Sequence, residues 1–501
     1  MKLPLRYKLT ILLGILIIAI YFLLRLPNLT LQPIFADEAI YIRWAQVMRS
    51  EPTLRFLPLS DGKTPLFMWT LIPLLKVFDD PLFAGRFLSV LTGFITLTGV
   101  FVLSWKVFNL RVALWSSLIY AIVPYSVFFD RMALVDSMLA AFTIWSLFLA
   151  VWLLKTQRLD LAMILGYILG AGILTKTPGM LSLLVLPLTI LGFDFKNKRK
   201  FLVKLIIFWL VAIFIALTIY NILRLGPNFS QLSGRNSDYI FSPLDLIGRP
   251  LDPFIPHLID MFDWFPKLLT WPILVFIIAG IGWVIKEKNR LGLVVLIWGL
   301  VPLLIQMTFL KTFTARYLLF SIPPLLIMGG YGLEKLSRVV GVPWVSKGVI
   351  KLAASVILIV LPLRFDYLLL TDPAKVPLPK EDRRGYLEDW TAGYGFPEIA
   401  QFLMDQKKTG SVVVGTEGYF GTLPDGLQIY LDKGDIPIIG DRATISGKLR
   451  DAAKINQTFF IGNKNRVGIN LERAKLIKEY PKVKPLDNSP QDAIVVFEVE
   501  P

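Results

Sequence analysis

Long apolar runs constrain this chain more than any other feature of its sequence. A transmembrane helix needs about 20 consecutive apolar residues, and the first such run, Leu9–Leu26, follows the basic residues Lys2, Arg6 and Lys8. Further runs, bounded by charged residues, proline or glycine, are Leu82–Trp105, Val112–Phe129, Met132–Leu154, Leu161–Leu174, Gly179–Gly192, Phe201–Leu223, Leu268–Ile285, Leu291–Leu310, Tyr317–Leu333 and Gly348–Leu363. The pattern predicts a polytopic α-helical membrane protein with about eleven transmembrane helices, and it excludes an ordinary soluble enzyme.

The charges are distributed in a way that indicates the orientation. No small-residue cleavage site follows the first run, whose exit reads Leu26-Pro27-Asn28, so we expect an uncleaved span with the N-terminus inside. With that orientation the inner segments carry a net +15, the rest of residues 1–365 carries +3 and residues 366–501 carry −2, which together make the formal +16 of the chain. Positive charge collects on the cytoplasmic side of membrane proteins. The excess therefore indicates the orientation of the chain in a membrane rather than nucleic-acid binding.

Two long loops and a polar tail complete the predicted organisation. Segments 27–78 and 224–267 fall on the outer side and are too long to be turns. After residue 365, helical patterns at Phe396–Lys407 and Leu471–Tyr480 alternate with strand-like runs. The strand-like runs are Ser411–Val414, Ile436–Ile439, Phe459–Gly462 and Ala493–Glu498. We therefore predict a transmembrane module over 1–365 and a small extracytoplasmic α/β domain over 366–501.

The residue types that are missing narrow the chemistry. The chain has no cysteine and a single histidine, His257. Thiolate nucleophiles and multi-histidine metal sites are excluded, and a Ser/His/Asp triad would depend on that one histidine. The chemistry must rely on carboxylates, Lys, Arg and Tyr. No dedicated cage of oxygen ligands is evident, so no metal is assigned.

Two adjacent carboxylates, Asp37 and Glu38, follow the first span on the predicted outer side. Carboxylates at a membrane edge are costly to desolvate unless they are used or paired. The structural alternative is a helix start, with Asp37 as N-cap and Glu38 in the first turn, where the helix dipole favours a negative charge. Taken alone, this segment favours the capping interpretation.

Other polar residues are predicted at the same outer level. Each has a structural explanation, such as a cation that snorkels to the interface or a surface pair of Asp130 with Arg131. Asp136, which we expect about two turns into the fourth span, is a functional candidate because carboxylates inside a membrane rarely lack a role. The set that could share one outer cavity with Asp37 and Glu38 is Lys63, Arg86, Arg131, Asp136, Lys176, Arg316 and Tyr317.

This set of carboxylates and cations suits a reaction in which a phosphate is displaced. Cations stabilise a departing phosphate electrostatically, and arginine adds planar two-point contacts. A carboxylate can accept the proton of an attacking hydroxyl. Neither step needs histidine or cysteine.

The order of these pieces resembles the GT-C membrane glycosyltransferases, in the branch of protein O-mannosyltransferases and lipid A aminoarabinose transferases. The chain departs from the family at two positions. It reads Lys63-Thr64-Pro65 where the family commonly reads Lys-Pro-Pro, and it has Thr177 where a glycine is frequent. The matching stretches are Asp37-Glu38-x-x-Tyr41, Lys63-x-Pro65-Leu66, Arg86-Phe87-Leu88-Ser89, Arg131-x-x-x-x-Asp136, Leu174-Thr175-Lys176-x-Pro178 and Arg316-Tyr317-Leu318-Leu319 with Pro323.

The resemblance implies a membrane-embedded enzyme that moves a sugar from a polyprenyl-phosphate donor to a hydroxyl of a protein or glycolipid acceptor, with no other cofactor. Asp37 would be the general base of an inverting reaction, and Glu38 would orient the acceptor or an arginine. Asp136 would position a cation or a sugar hydroxyl. The implied contacts to the donor, chiefly its phosphate, come from Tyr41, Lys63, Arg86, Arg131, Lys176, Arg316 and Tyr317.

Two other functions remain open from the residues. A transporter or flippase of a lipid-linked or anionic solute would also be polytopic, although transporters usually show internal repeats and a site near the bilayer midplane. An oligosaccharide ligase or oligosaccharyltransferase would use a diphosphate-linked glycan in place of a monophosphate-linked sugar.

Overall fold

The computed structural model describes residues 5–193, 199–249, 251–339, 347–431, 436–467 and 473–501. Most of these residues are helical. In chain order the α-helices are α1 Leu5–Leu23, α2 Ala36–Ser50, α3 Leu66–Leu74, α4 Pro81–Val107, α5 Leu110–Ile122, α6 Pro124–Asp130, α7 Val135–Thr156, α8 Leu159–Thr175, α9 Met180–Val185, α10 Arg199–Tyr220, α11 Gln231–Tyr239, α12 Pro243–Ile247, α13 Phe254–Leu268, α14 Trp271–Lys286, α15 Arg290–Phe309, α16 Ile322–Val339, α17 Lys347–Thr371, α18 Lys380–Arg383, α19 Phe396–Lys407, α20 Asp425–Gln428, α21 Gly447–Ala453 and α22 Lys464–Val467. The strands are β1 Ile34–Phe35, β2 Ala392–Gly393, β3 Val412–Glu417, β4 Ile438–Asp441, β5 Gln457–Asn463, β6 Ala474–Pro481 and β7 Ala493–Val499.

Several of these helices have the length and apolar character of membrane spans. Within the described ranges four helices qualify singly, namely α4, α7, α10 with the turn that follows it, and α15. Two bent pairs, α5 with α6 at 57° and α13 with α14 at 113°, raise the number to six if each pair counts as one span. The polytopic helical prediction is confirmed by these elements. The count of eleven and the orientation of the N-terminus stay predictions.

Glycine residues let helices α14 and α16 pack closely. A Cβ atom on Gly280 of α14 would overlap the carbonyl oxygen of Met328 on α16, and one on Gly332 of α16 would overlap the carbonyl oxygen of Phe276 on α14. The two helix backbones are therefore in direct contact. Close approach through small residues is the usual way in which helices associate in lipid, where burial of apolar surface gives no driving force.

The chain divides into two compact units. The first comprises residues 1–27, 55–67 and 89–371, and the second comprises residues 28–54, 68–88 and 372–501. This division differs from the predicted boundary after residue 365, because α17 continues to Thr371 and most of the first outer loop groups with the tail. One physical reason is the antiparallel pairing of β1 with β2, in which Ile34 lies opposite Gly393.

The second unit contains a five-stranded mixed sheet in the order β4-β3-β5-β7-β6. Strands β3, β4 and β5 are parallel, whereas β7 is antiparallel to both β5 and β6. Helix α21 covers the sheet through Leu449, which packs with Val413, Phe460 and Phe497. All four predicted strands and the helix at Phe396–Lys407 are confirmed.

The predicted helix at Leu471–Tyr480 is wrong over its described part, because Ala474–Pro481 is the edge strand β6. Its apolar residues recur at helical spacing, but pairing with β7 determines the structure. Lysines at positions 475 and 478 suit an edge strand, since charged side chains discourage further strand pairing. Leu471 and Glu472 lie outside the described residues.

A buried lysine stabilises the end of this sheet. The ammonium group of Lys482 donates to Asn463 Oδ1 at 2.6 Å and to the backbone oxygen of Asp389 at 2.9 Å, and it lies 2.8 Å from Asp492 Oδ2. Burial lowers the pKa of Lys482, and the charge of Asp492 opposes that shift. Three oxygen partners satisfy the three donors of the ammonium group, which is what a buried lysine requires.

Candidate active site

Helix α2, in the second unit, carries Asp37 and Glu38 in its first turn. Its N-cap is Phe35, which has an extended backbone with φ −89° and ψ 151°. The backbone N–H of Phe35 donates to Glu38 Oε2 at 2.9 Å. Asp37 is therefore the second residue inside the helix, and the interpretation of Asp37 as the N-cap is wrong. Its side chain is half-buried.

Glu38 and Arg86 form a two-point ion pair in the interior of the same unit. Arg86 Nε lies 2.8 Å from Glu38 Oε1, and Nη2 lies 2.8 Å from Oε2, with both side chains almost fully buried. Nη1 donates to the carbonyl oxygens of Leu29 and Gln32, and Nη2 donates also to that of Pro33. These contacts occupy all five N–H donors of the guanidinium.

These contacts give Arg86 a structural role, and its binding to the lipid phosphate stays a prediction. A phosphate could bind Arg86 only by breaking contacts that fix the chain from Leu29 to Pro33 and the start of α2. The predicted alternative for Glu38, orientation of an arginine, is the arrangement that the structure has.

Tyr41 lies one turn after Asp37 on α2. Residues four apart are neighbours on a helix surface, so Tyr41 and Asp37 share a face. The Tyr41 ring is buried and lies 6.2 Å from the Trp44 ring, which in turn lies 5.8 Å from Phe420. The packing places Tyr41 within an aromatic row, and its binding to a phosphate stays a prediction.

In the first unit, Lys176 lies between two helical segments. Helix α8 ends at Thr175, and a 3₁₀ turn covers Thr177–Gly179, so Lys176 between them has an extended backbone. Its Nζ lies 2.6 Å from Asp136 Oδ1 and 4.1 Å from the centre of the Tyr317 ring. The Lys176 side chain keeps 21% of its surface exposed.

Asp136 and the segment around Tyr317 complete this cluster. Asp136 is in the first turn of α7 rather than two turns into a span, and its carboxylate is almost fully buried. Tyr317 belongs to a 3₁₀ turn, Ala315–Ser321, whose carbonyl at position 317 accepts a hydrogen bond from Gln306 Nε2 at 3.1 Å. The Arg316 guanidinium lies 5.1 Å from the Tyr317 ring. Lys176, Asp136, Arg316 and Tyr317 are therefore brought together.

Asp130 is not part of a surface pair with Arg131, so that interpretation is wrong. Asp130 Oδ2 lies 3.0 Å from Arg25 Nε, and both side chains are fully buried. Ser137 and Tyr120 also donate to this carboxylate, at 2.7 Å and 3.2 Å. The sequence offered one signal for this pair, since Arg25 is a lone charge at the end of the first apolar run.

Arg131 is also buried, with different partners. Its Nη1 donates to the carbonyl oxygens of Arg25 at 2.7 Å and Pro27 at 3.0 Å. These are carbonyls just beyond the end of α1, which have no partner within that helix. Arg131 thus holds the segment that follows α1, through hydrogen bonds from at least one of its nitrogens.

Lys63 lies beside Asp61 in the first unit. Lys63 Nζ is 3.3 Å from Asp61 Oδ2, and each side chain is 22% exposed. Asp61 Oδ1 is in turn 3.6 Å from Arg235 Nη2. Sequence reasoning missed both Asp61 and Arg235, because neither lies in a motif of the family that the chain resembles.

The single histidine is buried and held by a hydrogen bond and a stacking contact. His257 is buried on α13, where its Nδ1 lies 2.7 Å from the carbonyl oxygen of Met307 and its ring stacks on Phe313 at 4.2 Å. Across the described residues, no group of three or more His, Cys, Asp or Glu side chains is arranged to hold a metal ion. The geometry therefore assigns no metal ligand.

Similar solved structures cover nearly the whole chain. ArnT from Cupriavidus metallidurans matches over 98% of both chains at 14% identity, with a TM-score of 0.58 in the apo state and 0.59 in the structure bound to undecaprenyl phosphate. This chain has the GT-C fold. The expectation about the fold is confirmed by this match.

A second GT-C structure is more distant. The archaeal oligosaccharyltransferase AglB from Archaeoglobus fulgidus, in complex with an inhibitory peptide and a dolichol-phosphate, matches over 91% of this chain and 70% of its own at 11% identity, with a TM-score of 0.56. At such identities the likeness concerns the fold. No curated protein sequence matches the chain at a significant level.

A sequence model of a protein family matches part of this chain. Residues 62–223 match the model described as dolichyl-phosphate-mannose-protein mannosyltransferase. This range contains five of the predicted site residues, which are Lys63, Arg86, Arg131, Asp136 and Lys176. Asp37, Glu38 and Tyr41 precede the range, and Arg316 and Tyr317 follow it.

Proposed function

We propose that this protein is a membrane glycosyltransferase that transfers a sugar from a polyprenyl-phosphate donor to an acceptor hydroxyl on the outer face of the cytoplasmic membrane. The observation that carries the proposal is the cluster at Lys176. A partly exposed ammonium group is fixed by one carboxylate and one aromatic ring, at a break between two helical segments. A cation that is positioned but not enclosed can bind an anionic group of a substrate.

Phosphate is the leaving group that this cluster suits. As the bond from the sugar to the phosphate breaks, negative charge develops on the phosphate oxygens, and fixed cations stabilise that charge. Lys176 supplies a point charge, and Arg316 lies next to the same Tyr317 ring. Undecaprenyl phosphate in the similar ArnT structure and dolichol-phosphate in the AglB structure support a lipid-linked donor.

Asp37 is the general base in this proposal. Its carboxylate is half-buried, lies in the first turn of α2 and does not cap the helix. Accepting the proton of the acceptor hydroxyl as that oxygen attacks the anomeric carbon would give inversion at this carbon. Glu38 and Arg86 fix the start of α2 and thereby the position of the base.

The donor and the base are tested together in proteoliposomes, with a labelled sugar on a polyprenyl monophosphate and mass spectrometry of the products. We expect Asp37→Asn to lower transfer at least 1,000-fold, since the attacking hydroxyl loses its base, while the melting temperature in detergent stays unchanged. Asp79→Asn is the matched control, because Asp79 is an exposed carboxylate of the same compact unit. Wild-type turnover by the Asp37→Asn variant would exclude the role of Asp37.

An oligosaccharyltransferase-like reaction is a second candidate, favoured by the AglB match. The same assay with a polyprenyl diphosphate donor separates the two candidates, because only one leaving group should support turnover. Movement of the labelled lipid across the bilayer without a covalent product would instead indicate a transporter or flippase.

A further inference from the structure

The loop that carries Lys63 turns at a glycine with a left-handed backbone conformation. A 3₁₀ turn, Leu57–Asp61, ends at Gly62 with φ +62°, and the backbone N–H of Lys63 then donates to the carbonyl oxygen of Pro58 at 3.0 Å. Residues that have a side chain rarely adopt this positive φ. The turn therefore places Asp61 and Lys63 close together, with Gly62 between them.

Helix α11 packs directly on this turn. A Cβ atom on Gly62 would overlap Cβ of Arg235 and would lie 2.9 Å from the carbonyl oxygen of Gln231, both on α11. Gly226, before α11, is equally close to the turn, since its Cβ would lie 2.5 Å from Leu59 Cδ1. There is no space between the turn and α11, so a displacement of one must displace the other.

Asp61 is shared between two cations in this arrangement. Its Oδ2 lies 3.3 Å from Lys63 Nζ, and its Oδ1 lies 3.6 Å from Arg235 Nη2. Arg235 also faces Asp238 at 3.5 Å and donates to the Tyr239 hydroxyl at 3.2 Å, so its guanidinium is fixed from a second side. Among Asp61, Lys63 and Arg235 the net charge is +1.

The far end of α11 is attached to the segment that precedes Arg316. The backbone N–H of Lys311 donates to the carbonyl oxygen of Tyr239 at 2.7 Å, and Lys311 Nζ donates to that of Ser237 at 2.7 Å. One short helix therefore contacts both the turn that carries Lys63 and the chain that leads to Arg316.

We propose that Arg235 is a positioning residue for donor binding, which offsets the negative charge of the Asp61 carboxylate so that the Lys63 ammonium attracts the lipid phosphate. Without Arg235, the full charge of Asp61 would act on Lys63 and repel the incoming phosphate. This inference rests on the proposed function, in which Lys63 contacts the donor phosphate. It assigns a role to α11, which no motif of the sequence indicated.

The experiment measures KM for the lipid-linked donor in proteoliposomes, with the full-length protein. We expect Arg235→Met to raise KM about five- to tenfold with kcat nearly unchanged, because the methionine keeps the packing against Gly62 but removes the charge. Arg235→Lys should remain within twofold of the wild type. Adding Asp61→Asn to Arg235→Met should restore most of the lost affinity, since the charge of Asp61 then no longer opposes that of Lys63.

The rescue distinguishes charge from structure, because a residue that merely supports packing would lose further affinity in the double variant. An unchanged KM in Arg235→Met, or no rescue by Asp61→Asn, would overturn the proposal. Melting temperatures in detergent show whether each variant is folded, and Arg235→Gln, which also removes the charge, tests the role if the methionine variant is not.

Lys63→Met separates this proposal from the one on which it rests. An unchanged KM in Lys63→Met would remove Lys63 from the donor site and would count against both. A raised KM in Lys63→Met together with an unchanged KM in Arg235→Met would overturn the role of Arg235 alone.

Discussion

Two ion pairs formed by predicted site residues, one within each compact unit, use their cations differently. In the second unit Arg86 is almost fully buried, and Glu38 with three backbone carbonyls occupies every donor of its guanidinium. In the first unit Lys176 has one carboxylate partner and one aromatic neighbour, and a fifth of its side chain is exposed. Both cations lie in the stretch that matches the family model.

The difference teaches that a family motif does not by itself separate a binding residue from a structural one. A fully occupied, buried guanidinium would lose several hydrogen bonds if it turned to a ligand, and its desolvated partner would be left unpaired. A cation with a single carboxylate partner can bind a second anion on its exposed side. Counting occupied donors therefore ranks Lys176 above Arg86 as a phosphate ligand.

The largest effect that tests this comparison is expected at Arg86. Arg86→Met should destabilise the protein by about 3–5 kcal/mol, because it leaves the buried Glu38 carboxylate unpaired. The melting temperature in detergent measures this loss. Glu38→Gln combined with Arg86→Met should recover part of it, since the charge is then absent. A folded Arg86→Met variant whose only defect is a raised donor KM would contradict the structural role.

Lys176→Met should impair transfer more than it impairs stability. We expect kcat/KM for the lipid-linked donor to fall about 100-fold, which corresponds to about 2.7 kcal/mol of transition-state stabilisation. The melting temperature should also fall, because the buried Asp136 carboxylate loses this partner, but the fall should be smaller than for Arg86→Met, which removes five hydrogen bonds. Arg158→Met is the matched control, since Arg158 is an exposed cation paired with a nearby carboxylate. Normal transfer by Lys176→Met would remove it from the donor site.

A smaller effect is expected at Gly93, beside the Arg25–Asp130 pair. A Cβ atom there would overlap the Asp130 carboxylate and the Tyr21 hydroxyl. Gly93→Ala should therefore cost about 1–3 kcal/mol through overpacking, measured as a lower melting temperature. Gly282→Ala should have almost no effect, because no atom lies within 4 Å of the added methyl group. Equal melting temperatures for the two variants would show that the buried pair tolerates displacement.

Much of the fold could be predicted because the relevant signals are local. Apolar runs predicted the membrane helices, and alternating short patterns predicted β3, β4, β5 and β7 with the helix at Phe396–Lys407. The edge strand β6 was missed because its apolar spacing also fits a helix, and only its pairing with β7 decides between them. Local spacing cannot report a partner strand that lies elsewhere in the chain.

The sequence indicated which residue types are present near the candidate site, but it did not indicate which carboxylate pairs with which cation. The sequence placed carboxylates and cations at one predicted face, yet it paired Asp130 with Arg131, which the structure replaces by Arg25. The structural alternative for Asp37, capping of the helix, was wrong, since the helix begins at Ala36 and Glu38 accepts the hydrogen bond from the Phe35 N–H. Asp61 and Arg235 gave no signal, because they meet only when α11 packs on the turn at Gly62.

The sequence by itself determined that this is a helical membrane protein with an α/β domain, and its lack of cysteine and its single histidine directed the proposed chemistry to carboxylates and cations. Those conclusions follow from hydropathy, period and residue type, which act over a few neighbouring positions. Only the tertiary structure decided which cation belongs to which carboxylate. Burial and donor occupancy depend on residues that are about 50 to 170 positions apart, as for Glu38 with Arg86 and Asp61 with Arg235, and no local pattern encodes such distances.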